Sequence, residues 1–326
     1  MKAIIYGPSK TLQLAEIEKP VPADDEVLLR VRAAAVNPLD SHLLKIAPFL
    51  RNLMFTMLRA RVKRPGVDVA GEVEAVGRNV IRFASGDAVF GSSTGAFAEY
   101  ACTPESGLAS KPEDISFETA ASVNVTGRTA LQGLRDFARL ERGQRVLVNG
   151  ASGGVGTFAV QIAKWMGADV TGVCSTRNVD LVRSLGADHV IDYTRQDFSK
   201  SEERYDVIYD LVENKPLLVL KGLLTPKGKW VGAGMLGNNA SMVRAIASTV
   251  KPRLVSLFTS QKFVSYITKS GNDDLAVLSE LIQAGTVKPV IDCTFSLDET
   301  SEAVSYVAGK HASGKVVISM NAEART

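Results

Sequence analysis

Three closely spaced glycines, Gly153, Gly154 and Gly156, are the residues whose type and spacing best define a chemistry in this chain. They follow a short apolar run that ends at Asn149 and precede an amphipathic run, so the pattern predicts strand, glycine turn and helix. Glycines let the backbone approach a pyrophosphate, and the N-terminus of the following helix offers it free N–H groups and a positive dipole end. The residues predicted to bind a dinucleotide here are Ser152, Gly153, Gly154, Val155 and Gly156.

The end of the next predicted strand, Asp169–Cys174, indicates which dinucleotide is bound. A site for NAD usually places Asp or Glu here, to hold the ribose 2′-hydroxyl. This strand is followed by Ser175, Thr176 and Arg177, with no acid. Because Arg177 can pair with a 2′-phosphate and Ser175 can donate a hydrogen bond to it, we expect NADP(H) as the cofactor. The alternative is that Arg177 is a solvated residue at the start of the next helix.

The elements that must position these residues belong to two regions. After Ala120, short apolar strands alternate with helical patterns, which is typical of a doubly wound parallel sheet. Before Ala120, Gly and Pro punctuate short strands, which is typical of a small twisted barrel. The strands predicted in the first region are Val27–Ala35, Val67–Val76, Asp87–Phe90 and Ala96–Ala101. The segments after Phe263 end in a strand, Gly314–Ser319, and we expect them to return to the first domain.

Composition excludes several other classes of protein. The chain has 326 residues, enough for two domains, and a net charge of +3, which is too small to indicate nucleic-acid binding. Its cysteines, Cys102, Cys174 and Cys293, have no paired spacing, so we expect neither disulfides nor a CxxC zinc site. The same spacing leads us to expect that the protein lies in a reducing compartment. We also expect no signal peptide and no membrane span.

One apolar and basic segment, Phe49–Arg64, has helical spacing and ends before Pro65. A helix that packs on the barrel or covers the active site is the favoured interpretation, and contact with a membrane surface is the alternative.

Several motifs spread along the chain together resemble the zinc-independent quinone oxidoreductase branch of the medium-chain dehydrogenase/reductase superfamily. The matching motifs are Asn37-Pro38-Leu39-Asp40, Gly66–Val73, Gly95–Tyr100, Ala151–Gly156, Ser184–Asp188 and Ser313–Val317. The resemblance implies an α/β fold with a GroES-like β-barrel catalytic domain and a doubly wound parallel-sheet (Rossmann) cofactor domain. The expected boundaries are residues 1–122 and 264–326 for the first domain and 123–263 for the second.

The departures from zinc-dependent relatives are informative. Those relatives carry a cysteine where Asn37 stands, a His-Glu pair where Val67 and Asp68 stand, and a four-cysteine structural zinc lobe that this chain lacks. Without thiolate or imidazole ligands at these positions, a catalytic zinc is not expected.

The resemblance implies hydride transfer from NADPH to a quinone or to the β-carbon of an α,β-unsaturated carbonyl. Asn37 is the candidate to stabilise charge on the substrate oxygen, with a turn-stabilising Asn before Pro38 as the alternative. The other residues expected at the cofactor are Thr126 and Thr129 at the domain junction, Tyr193 near the 2′-phosphate, and Lys315 in the closing motif. For the threonines the alternative is helix capping, and for Tyr193 a buried residue at a strand end.

Two other functions remain open at this point: an NADPH-binding protein with little turnover and a regulatory role, and a zinc-dependent alcohol dehydrogenase. The resemblance also implies a homodimer, with contacts near Leu254–Phe258. The expected partners are a small quinone or enone, without nucleic acid or stable membrane insertion, and the expected location is cytoplasmic.

Overall fold

The computed structural model describes residues 1–7, 10–46, 64–233, 252–256, 259–269, 271–309 and 312–321. The predicted helix at Phe49–Arg64 lies outside them except for its last residue, as do residues 257–258 of the predicted dimer contact. The chain forms two units: unit 1 is Met1–Val125, Ser270–Gln283 and Pro289–Thr326, and unit 2 is Thr126–Lys269 and Ala284–Lys288. The domain boundaries given above stay a prediction.

Unit 1 is built on a mixed, mostly antiparallel sheet. Its strands are β1 (Lys2–Tyr6), β2 (Leu12–Glu16), β3 (Glu26–Val36), β4 (Asp68–Val76), β5 (Ala88–Ser92), β6 (Tyr100–Pro104), β7 (Leu108–Ser110), β14 (Ile291–Phe295) and β15 (Lys315–Ser319). The strand order is β14-β15-β3-β4-β5-β7, β6 also pairs with β3, and β1 and β2 form a separate hairpin. The antiparallel pairing of β15 with β3 brings the closing strand of the chain into this sheet.

The helices of unit 1 are α1 (Pro38–Lys45), α2 (Phe117–Ala121), α7 (Asn272–Gln283) and α8 (Thr300–Ala308), and α3 (Asn124–Gln132) begins in it. The sequence predicted only a turn at Asn37-Pro38, whereas the chain enters α1 there. Proline at the first helical position and Asp40 at the third are both helix-start signals, and the Asp40 carboxylate accepts a hydrogen bond from Asn37 N at 2.8 Å.

One predicted strand of unit 1 is displaced. The strand expected at Ala96–Ala101 is instead β6, Tyr100–Pro104. Gly95 has a φ of +85° and turns the chain, after which Ala96 N donates to Gly66 O. Ala96 and Phe97 are buried in the core by this loop, so their apolar character does not reflect a strand.

Unit 2 is a six-stranded parallel sheet with helices between its strands. Its strands are β8 (Arg145–Asn149), β9 (Asp169–Cys174), β10 (His189–Asp192), β11 (Tyr205–Asp210), β12 (Leu224–Gly232) and β13 (Lys262–Ser265). The helices in the described part of unit 2 include α3, the π-helical turn Gly133–Ala138, α4 (Gly154–Trp165), α5 (Val179–Ser184) and α6 (Leu217–Lys221). This confirms the doubly wound sheet that the alternating pattern predicted.

The strand order β10-β9-β8-β11-β12-β13 reverses direction between β8 and β11. Asn149 and Asp210, the last residues of these two strands, are paired in the ladder. In open parallel sheets, ligands bind outside the carboxyl ends of the strands at such a reversal. The glycine loop, which directly follows Asn149, therefore lies at the edge where a dinucleotide is expected.

Candidate functional site

The glycine loop has the backbone geometry that its sequence predicted. Gly150 has a φ of +93°, and α4 begins at Gly154 after Gly153. A Cβ on Gly156 would lie 2.0 Å from Gly150 O, so this position admits only glycine without a backbone shift. The first N–H groups of α4 have no partner within the helix and are therefore able to bind an anion. Ser152, Gly153, Gly154 and Val155 are partly exposed, as a ligand site requires.

A buried asparagine joins the glycine loop to the end of β9. Asn178 Nδ2 lies 2.9 Å from Ser152 Oγ and 3.4 Å from Ser175 Oγ. The structure thus joins two residues that were predicted at the cofactor, Ser152 and Ser175, through Asn178, which the sequence analysis did not identify. The only local sign of a role for Asn178 was its place directly after Arg177, because its contact with Ser152 spans 26 residues.

Arg177 is exposed in a single 3₁₀ turn, Thr176–Asn178, that precedes α5. Its exposure is compatible with binding a phosphate and with the solvated alternative. Tyr193 follows β10 and is 57 % exposed, so the alternative of a buried tyrosine is wrong. Tyr193 N donates to Cys174 O at 3.0 Å, which fixes this residue beside the end of β9.

The structure places an acid near this edge, although none stands at the carboxyl end of β9. Asp192, the last residue of β10, accepts hydrogen bonds from Thr176 Oγ1 at 2.6 Å and from Thr194 Oγ1 at 2.7 Å. These bonds, from Thr176 first, lower the pKa of Asp192, so the carboxyl is ionised at neutral pH. Arg195 Nε lies 3.4 Å from the same carboxylate. The Asp192 charge is therefore partly offset where it neighbours Thr176 and Arg177.

The carboxyl end of β11 carries a second polar group. Asp210 is fully buried and accepts from Asn149 Nδ2 at 2.8 Å and from Trp230 Nε1 at 3.1 Å. It also accepts from the backbone N of Val212 and Glu213 at 3.2 and 2.9 Å. These bonds fix the turn after β11 beside the glycine loop.

Thr126 and Thr129 both lie inside α3 and are buried. Neither precedes the helix, so the structure gives no support to a capping role. Thr129 Oγ1 lies 2.9 Å from Thr268 Oγ1, and Thr129 O accepts from Tyr209 and Tyr266 at 2.9 and 2.6 Å. Burial raises the pKa of both tyrosines, so these hydroxyls stay protonated.

In unit 1 the structure gathers five side chains that we call the buried polar cluster: Asn37, Asp40, Asp68, Asn124 and Lys315. Lys315 Nζ donates to Asn37 Oδ1 at 2.8 Å, to Val36 O at 3.0 Å and to Asp68 Oδ2 at 3.2 Å. Asp68 is fully buried and also accepts from Asn124 Nδ2 at 2.8 Å. Since its three N–H bonds are all given to protein oxygens, Lys315 would have to exchange one of them to contact a cofactor.

Asn37 is 2 % exposed and its amide is engaged at both ends. Nδ2 donates to Asp68 Oδ2 at 3.0 Å and to Ala35 O at 3.3 Å, while Oδ1 accepts from Lys315. The amide therefore does more than stabilise its own turn, because it also bonds to side chains from two strands, Asp68 of β4 and Lys315 of β15.

Asp40 closes the cluster on the side of α1. Its carboxylate accepts from Asn37 N at 2.8 Å and from Gly66 N at 3.3 Å. Burial outweighs these bonds and raises the pKa of Asp40 to about 6, with the nearby Asp68 charge adding to the shift. The charge of Asp40 therefore responds to mild acid.

Comparisons with known proteins agree with this architecture. Residues 23–113 match the family described as alcohol dehydrogenase GroES-like domain, and residues 185–318 match the family described as zinc-binding dehydrogenase. The quinone-oxidoreductase homolog of Spinacia oleracea chloroplasts is 35 % identical over 98 % of both chains. The chloroplastic NADPH-dependent alkenal/one oxidoreductase of Arabidopsis thaliana is 31 % identical over 98 % of this chain and 79 % of its own length.

A solved structure, the quinone oxidoreductase of Coxiella burnetii, superposes with a TM-score of 0.84 at 27 % identity over 98 % of this chain and 99 % of its own. The fold thus combines a GroES-like domain with a Rossmann-like parallel sheet, which defines a nicotinamide-dependent oxidoreductase. The chain belongs to the medium-chain dehydrogenase/reductase superfamily, in its quinone oxidoreductase branch.

Within the ranges given above, no three His, Cys, Asp or Glu residues are grouped so as to hold a metal ion. None of the helices in the described part of the chain is long and apolar enough to cross a bilayer.

Proposed function

We propose that the protein transfers hydride from NADPH, without a metal, to a quinone or to the β-carbon of an α,β-unsaturated carbonyl. The observation that carries the proposal is the binding edge of unit 2, where Asn178 links the glycine loop to Ser175 beside Arg177. When bound, NADPH supplies the hydride, and the chain's residues bind and orient it and stabilise charge on the acceptor. Relatives whose names denote quinone and alkenal/one oxidoreductases support the acceptor class.

The preference for NADPH is assigned to Arg177 and Ser175, with Tyr193 beside them. An exposed guanidinium can pair bidentately with the 2′-phosphate, and the ionised Asp192 is already engaged by Thr176 and Arg195. Arg177→Ala is expected to weaken NADPH binding by about 1–3 kcal/mol and to leave NADH nearly unchanged. The matched control is Arg204→Ala, an exposed arginine before β11 that bonds only to neighbouring carbonyls. Equal losses for NADPH and NADH, measured by calorimetry, would remove Arg177 from this role.

We assign Asn37 to the substrate oxygen. Its bond to Ala35 O is the longest that Nδ2 makes, at 3.3 Å, and is the one that a developing oxyanion can replace. The Lys315 ammonium on Oδ1 polarises the amide and makes Nδ2 a stronger donor. Asn37→Ala is expected to lower kcat by about 10²-fold or more while the Kd for NADPH stays unchanged. An unchanged kcat in steady-state assays would show that Asn37 only supports the turn.

The metal-free part of the proposal rests on what occupies the positions of the zinc ligands in zinc-dependent relatives. Asn37 and Asp68 both bond to the Lys315 ammonium, and an amide with a single carboxylate does not supply the thiolate and imidazole ligands of those zinc sites. A stoichiometric zinc in the purified protein would contradict this assignment.

Turnover is tested by following NADPH oxidation with 1,4-quinones and with small enones as acceptors. The expected result is saturable turnover with one of these classes. Tight NADPH binding without turnover on any acceptor would favour the regulatory alternative.

The remaining assignments complete the proposal. We include Thr126, Thr129 and Lys315 among the residues at the cofactor, and a domain division at residues 122/123 and 263/264. A homodimer and a cytoplasmic location are proposed from the family resemblance and the scattered cysteines. Light scattering of the purified protein tests the dimer.

A further inference from the structure

Glu213 lies on the turn after β11, at the carboxyl end of the parallel sheet. Its φ of +53° falls in the left-handed region, where a residue with a side chain is strained by about 1 kcal/mol or more. The turn is fixed by the bond from Glu213 N to Asp210 Oδ1 at 2.9 Å. The neighbouring Val212 side chain comes within 2.8 Å of where a Cβ on Gly150 would be. Val212 thus lies beside Gly150, which begins the turn into the glycine loop, and Glu213 is the next residue of the same turn.

The Glu213 carboxyl is half-buried and incompletely bonded. Its Oε1 is shielded from water and has no hydrogen-bond partner among the described residues. Burial, with the Asp210 charge adding to it, raises the pKa of Glu213 to about 7. A shielded polar atom without a partner costs free energy. It suits a ligand that brings hydrogen-bond donors.

The sheet topology indicates which part of a dinucleotide meets Glu213. The glycine loop and Ser175 follow β8 and β9, so the pyrophosphate and the adenosine half lie on that side. Strand order reverses between β8 and β11, and a dinucleotide crosses the sheet at this reversal. The first group beyond the pyrophosphate, over the end of β11, is the nicotinamide-side ribose.

We propose that the Glu213 carboxylate accepts hydrogen bonds from the hydroxyls of the nicotinamide-side ribose and thereby orients the half of the cofactor that donates hydride. The proposal rests on the proposed function, because it needs a nicotinamide dinucleotide at the glycine loop. Two vicinal hydroxyls supply two donors to a group that has only acceptors when ionised. A phosphate at the same place would be repelled by the carboxylate, so the ribose is the better match.

The test compares two ligands that share the adenosine half. NADPH carries the nicotinamide-side ribose, whereas 2′,5′-ADP ends before it. Glu213→Ala in the full chain is expected to raise the Kd for NADPH about tenfold, as for a hydrogen bond to a charged group, and to leave the Kd for 2′,5′-ADP unchanged. Glu213→Gln keeps one acceptor oxygen and should fall between the wild type and Glu213→Ala. Calorimetry gives each Kd, and circular dichroism confirms that each variant is folded.

The control is Glu202→Ala, an exposed glutamate that precedes β11 at the opposite edge of the sheet. It should leave both Kd values unchanged. Equal weakening of NADPH and 2′,5′-ADP by Glu213→Ala would overturn the proposal, and so would no weakening of either.

Failure of the proposed function has a different signature. If the wild type bound NADH as tightly as NADPH, the NADPH preference would be wrong. If it reduced no quinone and no enone, the acceptor class would be wrong. The role of Glu213 would still be read from NADH against 5′-AMP, since that pair differs by the same groups as NADPH and 2′,5′-ADP.

Discussion

Replacing Lys315 by methionine should be among the most damaging single changes in unit 1. The ammonium is 3 % exposed and lies 3.2 Å from the fully buried Asp68 carboxylate. Methionine fills similar space but leaves Asp68 with neutral donors alone, and Asn37 Oδ1 and Val36 O each lose a donor. Removing one partner of a buried ion pair costs about 3–5 kcal/mol, because the other charge stays buried without compensation. We expect a loss of unfolding free energy in that range.

The control is Lys164→Met, which breaks the ion pair with Asp188. Lys164 Nζ lies 2.7 Å from the Asp188 carboxylate, but the two side chains are 34 % and 37 % exposed. Water solvates both charges after the substitution, so the expected cost is below about 1 kcal/mol. The comparison therefore separates burial from distance, since the exposed pair is the shorter one.

Chemical denaturation measures both costs, with one probe for unit 2 and one that reports on both units. Trp165 and Trp230, the two tryptophans of the chain, both lie in unit 2, so their fluorescence follows that unit. Far-ultraviolet circular dichroism also includes the strands of unit 1. The Lys315→Met transition should move in circular dichroism before it moves in fluorescence. A cost for Lys315→Met no larger than that for Lys164→Met would refute the reasoning.

A double variant, Asp68→Asn with Lys315→Met, identifies the cause. If the cost of Lys315→Met comes from an uncompensated Asp68 charge, the double variant should lose less stability than the two single variants added together. An additive result would show that the two side chains act independently.

Two further predictions follow from the structure. Because the pKa of Asp40 is raised to about 6, the folded protein binds more protons than the unfolded chain between pH about 4 and 6. Asp40 thus lowers the free energy of unfolding increasingly as pH rises through this window, by up to about 3 kcal/mol. The unfolding free energy of the wild type minus that of Asp40→Asn, measured at several pH values, should show this dependence. In the glycine loop, Gly156→Ala places a Cβ 2.0 Å from Gly150 O and should abolish NADPH binding, whereas Gly153→Ala, with its nearest contact at 3.5 Å, should largely keep it by calorimetry.

The sequence predicted unit 2 more closely than unit 1 for a physical reason. Strands β8 and β9 are buried on both faces, so each is a short run bounded by turn residues, and the sequence predicted the end of β8 and both ends of β9 where the structure has them. In unit 1, Ala96 and Phe97 have the same apolar character but are buried by a loop. Hydrophobicity reports burial and does not by itself distinguish a strand from a packed turn.

The partners of the site residues were harder to predict than the residues themselves. Arg177 and the glycines follow from local spacing, whereas Asp192 reaches Thr176 only because β10 pairs with β9 in parallel, with Asp192 opposite Cys174. No spacing in the sequence reveals that pairing. The segment after β9 contains no acid, yet the pairing of β10 places the Asp192 carboxylate beside Thr176.

The buried polar cluster shows most directly how strand register determines chemistry. Lys315 and Asp68 are 247 residues apart and meet because both of their strands pair with β3. Ala35 lies opposite Asp68, and Val36 lies opposite Val316, the residue after Lys315. A slip of one residue in either pairing would turn Lys315 or Asp68 to the other face of the sheet and separate the charges. The ion pair therefore favours a single register of the closing strand, and that register holds the ammonium on the Asn37 amide.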